Sequence, residues 1–132
     1  MSAQQFTAVQ VNLFCDDVEL VAGFFRALGF AEVFRTPAEG HPEHLEVDAA
    51  GTRIGLTSAG AANRIARLGV GAQRHASTEV VFWCADVDAA FTAAIDAGGS
   101  AVSPPQDSPD GRLRYGWVRD PEGHQVKFVS SR

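Results

Sequence analysis

The sequence predicts an α+β protein built from two βαβββ modules, and three observations predict it. A twenty-residue stretch beginning at Val11 recurs at Val80, an offset of 69 residues. Each copy runs from a β-rich segment through an Asp into helical apolar spacing and stops at Gly. Each is then followed by three strand-like segments separated by turn residues.

In the repeat, VNLFCDDVELVAGFFRALGF lies over VVFWCADVDAAFTAAIDAGG, with Val11, Cys15, Asp17, Val18 and Gly29 matched by Val80, Cys84, Asp86, Val87 and Gly98. The opening segments are rich in Val and aromatic residues and suit strands. Asp17 and Asp86 are suited to cap helices, because a carboxylate can accept from the unpaired N–H groups of a first turn. Val21, Phe24, Phe25 and Leu28 fall on one face of a helix over 18–28, and Val87, Phe91, Ala94 and Ile95 give the second helix the same face. Gly29 and Gly98-Gly99 end the helices. Strands are expected at 31–36, 44–48 and 52–57, and again at 100–103, 113–119 and 125–129. The last pair is joined by the turn Asp120-Pro121-Glu122-Gly123. The first module therefore spans 1–58, a connector 59–76 with a short helix at 63–68, and the second module 77–132. A small sheet with one helix leaves a face bare, so the modules are expected to share a core or pair with another chain.

Composition narrows the function. In 132 residues, 16 acidic and 11 basic side chains leave a net charge of -5, which argues against nucleic-acid binding. No apolar run is long enough for a membrane span and no leader precedes the repeat, so a cytoplasmic protein is expected. Cys15 and Cys84 lie in apolar strands and are read as reduced, buried thiols. Lys127 is the one lysine of the chain.

The duplicated βαβββ order, the strand-Asp-helix-Gly openings and the closing WVRDPEGHQVKF resemble the vicinal oxygen chelate superfamily, which includes glyoxalase I, extradiol dioxygenases, fosfomycin-modifying enzymes and bleomycin-binding resistance proteins. The resemblance covers nearly the whole chain. It implies two curled mixed sheets forming a cup, paired in a homodimer. In metal-binding members, one ligand lies seven residues before each capping Asp and another four residues after each turn Gly. Those positions here are Gln10, Gly55, Glu79 and Lys127. Divalent metals at such a site take imidazoles and carboxylates, and Glu79 alone qualifies. No metal or other cofactor is therefore expected. Metal-dependent glyoxalase, dioxygenase or fosfomycin-transferase chemistry is set aside. The same geometry suggests that Lys127 pairs with Glu79, with Gln10 beside them.

Strand alternation then places Gln10, Asn12 and Phe14, Glu79, Val81 and Trp83, Arg53, Gly55 and Thr57, and Gln125, Lys127 and Val129 on the cup face. Val9, Val11, Leu13 and Cys15 fall beneath the helix. Trp117 and Tyr115 on the penultimate strand are read equally as ligand walls or as core or dimer-interface aromatics. His44 reads as a solvated loop residue and His124 as part of a structural turn. The expected ligand-binding set is Gln10, Asn12, Phe14, Arg53, Glu79, Trp83, Trp117 and Lys127. The leading function is metal-free binding of a small organic molecule, cationic or aromatic, in the manner of bleomycin-resistance proteins, sequestering an antibiotic or aromatic metabolite. The alternative is a metal-independent lyase or isomerase with Glu79 as general base.

Overall fold

The computed structural model describes residues 5–71 and 76–132. The first module comprises β1 (Gln10–Cys15), α1 (Val18–Ala27), β2 (Ala31–Thr36), β3 (His44–Ala49) and β4 (Thr52–Ser58). After α2 (Ala59–Ala66) and the rest of the connector, the second module repeats the order as β5 (Glu79–Trp83), α3 (Val87–Asp96), β6 (Ser100–Asp107), β7 (Leu113–Arg119) and β8 (Gln125–Ser131). Two mixed four-stranded sheets result, ordered β1-β4-β3-β2 and β5-β8-β7-β6. In each, the first strand runs parallel to the last and the remaining pairs are antiparallel. Neither sheet closes into a barrel.

The capping residues act as the sequence predicts. The Asp17 side chain accepts from Leu20 N at 3.1 Å and that of Asp86 from Ala89 N at 3.0 Å. Gly29 and Gly98 follow the helices at φ 101° and 104°, a left-handed conformation that glycine adopts without strain. Each helix buries its apolar face on its own sheet, and the modules then share one core. Phe82 of β5 lies 6.5 Å from Phe25 of α1 and 5.0 Å from Phe30, ring centre to ring centre, and stacks on Phe128 at 6.2 Å. Phe25 and Phe128 are buried and contribute roughly 1.5–3 kcal/mol each, and the partly buried Phe30 and Phe82 less. This shared core provides the cover that a single sheet and helix lack.

Several elements differ from their predicted extents. The connector helix begins at Ala59 rather than at 63, because the Ser58 hydroxyl accepts from Ala61 N at 3.1 Å and starts the helix directly off β4. Residues 72–75 of the connector lie outside the described residues. Strand β6 continues to Asp107 through Pro104 and Pro105, which an edge strand tolerates because its outer N–H groups have no ladder partner. Val9 and Val11 do not pack beneath α1: they are 81% and 48% exposed, since β1 is an edge strand and the helix covers β3 and β4. Leu13 and Cys15 are buried as expected, and burial pushes the Cys15 thiol well up. Cys84 is half-buried rather than buried.

Candidate ligand-binding faces

The sheet face opposite α3 is set by register. Cross-strand pairing aligns Val81, Lys127 and Trp117 in one row, Trp83, Val129 and Tyr115 in the next, and Glu79, Gln125 and Arg119 in the third. Alternate residues of one strand share a face, so Tyr115 and Trp117 belong with Lys127. The core side instead takes Val80, Phe82, Val118, Val126 and Phe128. Both aromatics therefore lie on the free face and not in the core. Their rings stand 4.8 Å apart at 52°, and the Lys127 ammonium lies 5.3 Å from the centre of each. A cation over two aromatic faces is held by their quadrupoles. Trp83, at the outer edge, is 66% exposed.

Glu79 anchors this wall from the side. One of its carboxylate oxygens accepts from Trp117 Nε1 and from Gln125 Nε2, each at 3.0 Å. The expected Glu79–Lys127 pair does not form, and the geometry explains why. Lys127 lies opposite Val81, one row away from Glu79, and its ammonium turns over the rings while the indole N–H takes the carboxylate.

The equivalent face of the first module carries different chemistry. His44, Glu46, Arg53, Thr57, Gln10 and Asn12 form a continuous hydrogen-bonded network. His44 Nε2–H donates to Glu46 at 2.8 Å, and the Thr57 hydroxyl lies 2.8 Å from Nδ1 of the same ring. Glu46 also accepts from Arg53 at 2.8 Å and from Gln10 at 3.1 Å, and Gln10 donates to Asn12 at 2.9 Å. The His44 hydrogen bond, then those of Arg53 and Gln10, hold the Glu46 carboxyl below its usual range against the opposing effect of burial. His44 sits in the strand expected at 44–48, and its ring is anchored on both nitrogens rather than solvated. Sequence reasoning also missed Glu46. The polar-apolar alternation of His44-Leu45-Glu46-Val47-Asp48 carried the signal, since it places Glu46 beside His44 on the free face.

Gln10 thus bonds within its own module and makes no hydrogen bond to Glu79 or Lys127. The four positions that would hold a metal in this fold do not fit one. A Cβ on Gly55 would fall 2.0 Å from Asn12 Oδ1 and 2.9 Å from Gln10 Nε2, so amide side chains already fill the space beside the missing ligand. At the matching place in the second module, Lys127 presents a positive charge.

The modules meet at a cleft of about 230 Å³ lined by Asn12, Phe14 and Asp16 from the first and by Glu79, Arg119, Glu122 and Gln125 from the second. Of the expected set, this cleft gathers Asn12, Phe14 and Glu79, while Arg53 stays with the first face and Trp83, Trp117 and Lys127 with the second. The β7–β8 turn closes the junction. Glu122 accepts from Asp16 N and Asp17 N at 2.8 Å each, ahead of α1. His124 donates through Nδ1 to Asp120 at 2.7 Å and through Nε2 to the carbonyl of Phe14 at 2.8 Å. Asp120 is 3% exposed, and its other oxygen accepts from the backbone N–H groups of Glu122 and His124. His124 thus has the structural turn role expected of it, and the turn also joins the modules.

Paired βαβββ modules, each with a helix on one side of its sheet and a free face on the other, define a glyoxalase-type fold. The chain belongs to the Glyoxalase/Bleomycin resistance protein/Dioxygenase superfamily, whose family model matches residues 7–128. Among solved structures it is similar to TioX from Micromonospora sp. ML1, with 31% identity, a TM-score of 0.74, and coverage of 96% of this chain and 99% of that one. The fold is also that of lactoylglutathione lyase from Agrobacterium tumefaciens, at 19% identity and TM-score 0.68 over 95% and 93% of the two chains. It is likewise shared with the fosfomycin resistance protein FosX from Listeria monocytogenes, at 14% identity and TM-score 0.72 over 96% and 93%. No curated protein matches the sequence. No helix among the described residues is long and apolar enough to cross a membrane.

Proposed function

We propose that this protein binds a small planar organic molecule, without a metal, on the free face of its second module. The observation that carries this reading is the wall of Tyr115, Trp117 and Lys127, braced by Glu79 and continued by the exposed Trp83. Aromatic surfaces of this kind stack rings with centroids about 4.5–7 Å apart, and a few polar groups beside them fix orientation. The similarity to bleomycin-resistance proteins supports sequestration of an antibiotic or aromatic metabolite. A homodimer fits the same reading, because the edge strands β1 and β5 expose Val11, Val81 and Trp83, with Val9 exposed just before β1.

The alternative of a lyase or isomerase finds less support. Two N–H donors on a single Glu79 oxygen suit a carboxylate that positions Trp117 better than one that removes a proton from a ligand. Tryptophan fluorescence titration with a panel of planar heteroaromatic compounds tests the binding reading. Saturable quenching that is lost in Trp117→Ala is expected. Binding that survives Trp117→Ala unchanged would move the site elsewhere, and turnover abolished in Glu79→Gln would favour the enzyme.

A further inference from the structure

Resting on that reading, we infer that the planar ligand is an anion, an aromatic carboxylate whose charged group is received by Lys127. The net charge of -5 points toward a cationic ligand, but the local charges on the second face are arranged the other way. Lys127 is half-buried and its ammonium rests on two rings, with no carboxylate at ion-pairing distance among the described residues. Residues 1–4 and 72–75 contain no Asp or Glu, so none of their side chains can supply the missing carboxylate. Glu79, the acid on the neighbouring row, has one oxygen committed to Trp117 and Gln125. Arg119 lies on the same face beyond Gln125 and also makes no ion pair among the described residues.

On the strands of this face Lys127 and Arg119 stand with one acid, Glu79; the further acids Asp16 and Glu122 line the cleft that Arg119 borders, which does not include Lys127. A partly desolvated ammonium retains unspent donor capacity, because ring faces supply no lone pairs and Lys carries three N–H donors. Exposed charges elsewhere on the chain are screened over about 8–10 Å at physiological ionic strength, so contacts at Lys127 decide the sign of the ligand more than the distant acids do. A ring stacked on Trp117 or Trp83 with a carboxylate toward Lys127 would complete a charge-assisted hydrogen bond.

The test compares three naphthalene probes of nearly equal stacking area: 2-naphthoate, neutral 2-naphthamide and cationic 2-naphthylmethylammonium. Each is titrated into wild-type protein, Lys127→Met and Lys127→Arg, with binding followed by calorimetry and folding by circular dichroism. Wild-type protein is expected to bind 2-naphthoate about tenfold or more tightly than either other probe. Lys127→Met should erase that preference while still binding the neutral ring, Lys127→Arg should keep it, and added salt should shrink it. Equal binding of all three probes, preference for the cation, or a preference for the anion that persists in Lys127→Met overturns the anion while leaving aromatic binding standing. Binding of none of the three overturns the aromatic site itself, and the inference with it. If Lys127→Met fails to fold, the wild-type probe order and Lys127→Arg still decide the matter.

Discussion

The two modules share one backbone register and differ in nearly every side chain on the free face. Through the strand pairing, His44, Glu46 and Asp48 of the first module stand where Tyr115, Trp117 and Arg119 stand in the second. Gly55 takes the place of Lys127, and Thr57 that of Val129. The core side has stayed apolar in both, with Val47, Ile54 and Leu56 answered by Val118, Val126 and Phe128, and Leu45 by Gly116. In both modules an arginine ties the helix start to the sheet, but from different strands, β2 in the first and β7 in the second. Arg35 bonds Glu19 in the first turn of α1 at 2.8 Å, and Arg114 bonds Asp88 in the first turn of α3 at 2.7 Å. The comparison separates what holds the fold from what is free to vary. The fold is held by one face of each sheet and by the helix ends, while the other faces have diverged into a polar network and an aromatic wall.

The largest difference between the modules lies in their last turns. In the first, Ala50 and Gly51 form a two-residue hairpin with φ of 52° and 88°, and Asp48 beside it is exposed. In the second, the longer turn buries Asp120 and uses Glu122 and His124 to grip the first module. Asp120→Ala would strand the His124 charge and two backbone N–H groups, and is expected to lower unfolding free energy by about 3–5 kcal/mol. Asp48→Ala should change it by less than about 0.5 kcal/mol, as surface substitutions do. Urea denaturation of the two variants checks this. Similar losses in both would mean that the turns are equivalent and that the second does not hold the modules together.

A smaller effect is expected at Gly55. A methyl group there meets the ends of Asn12 and Gln10, which can swing away, and Cε1 of His44 at 2.9 Å, which is pinned by Glu46 and Thr57. Gly55→Ala should therefore destabilise by about 1 kcal/mol, at the low end for overpacking. It should also disturb the His44 ring resonances while leaving those of Trp117 unmoved. A thermal melt with proton NMR of the aromatic region distinguishes the two faces. Movement of the Trp117 indole signal would show that the faces are coupled and the division into two is wrong.

The repeat, the helix caps and, apart from the exposed Val9 and Val11, the sheet sides are legible in the sequence because each rests on local rules: a carboxylate before a helix, a glycine after it, alternation along a strand. Gln10, Gly55, Glu79 and Lys127 were legible as places for the same reason. Their partners were not. Lys127 chooses between Glu79 and two rings according to which row each occupies, and the row depends on cross-strand register, which no single segment encodes. The choice also depends on Trp117 taking the Glu79 oxygen first, a competition among three strands. His44 lies within the strand expected at 44–48, but its anchoring by Glu46 and Thr57 depends on the pairing of β3 with β4, which the local signal of Pro42 does not report.

The gentlest probe of the asymmetry is pH. Both nitrogens of the His124 ring face acceptors, the Asp120 carboxylate and the Phe14 carbonyl, so the doubly protonated ring makes both bonds and the neutral ring only one. Burial opposes the charge, but the Asp120 hydrogen bond and charge, the Phe14 carbonyl and the charge on Glu122 outweigh it and raise the His124 value above the ordinary 6.5. A group with a raised folded-state value binds its proton more tightly in the native chain than in the unfolded one. Its contribution to stability is fully present below pH 6.5 and is lost as pH rises through the folded-state value. Stability measured by urea denaturation from pH 6 upward should therefore carry a downward component that His124→Gln removes. Thr52, at the corresponding place in the first module, offers no such group, so Thr52→Val should leave the pH profile of the wild type intact. A wild-type profile equally steep in His124→Gln would mean that the junction does not titrate, and that the second turn grips the first module through Glu122 and Asp120 alone.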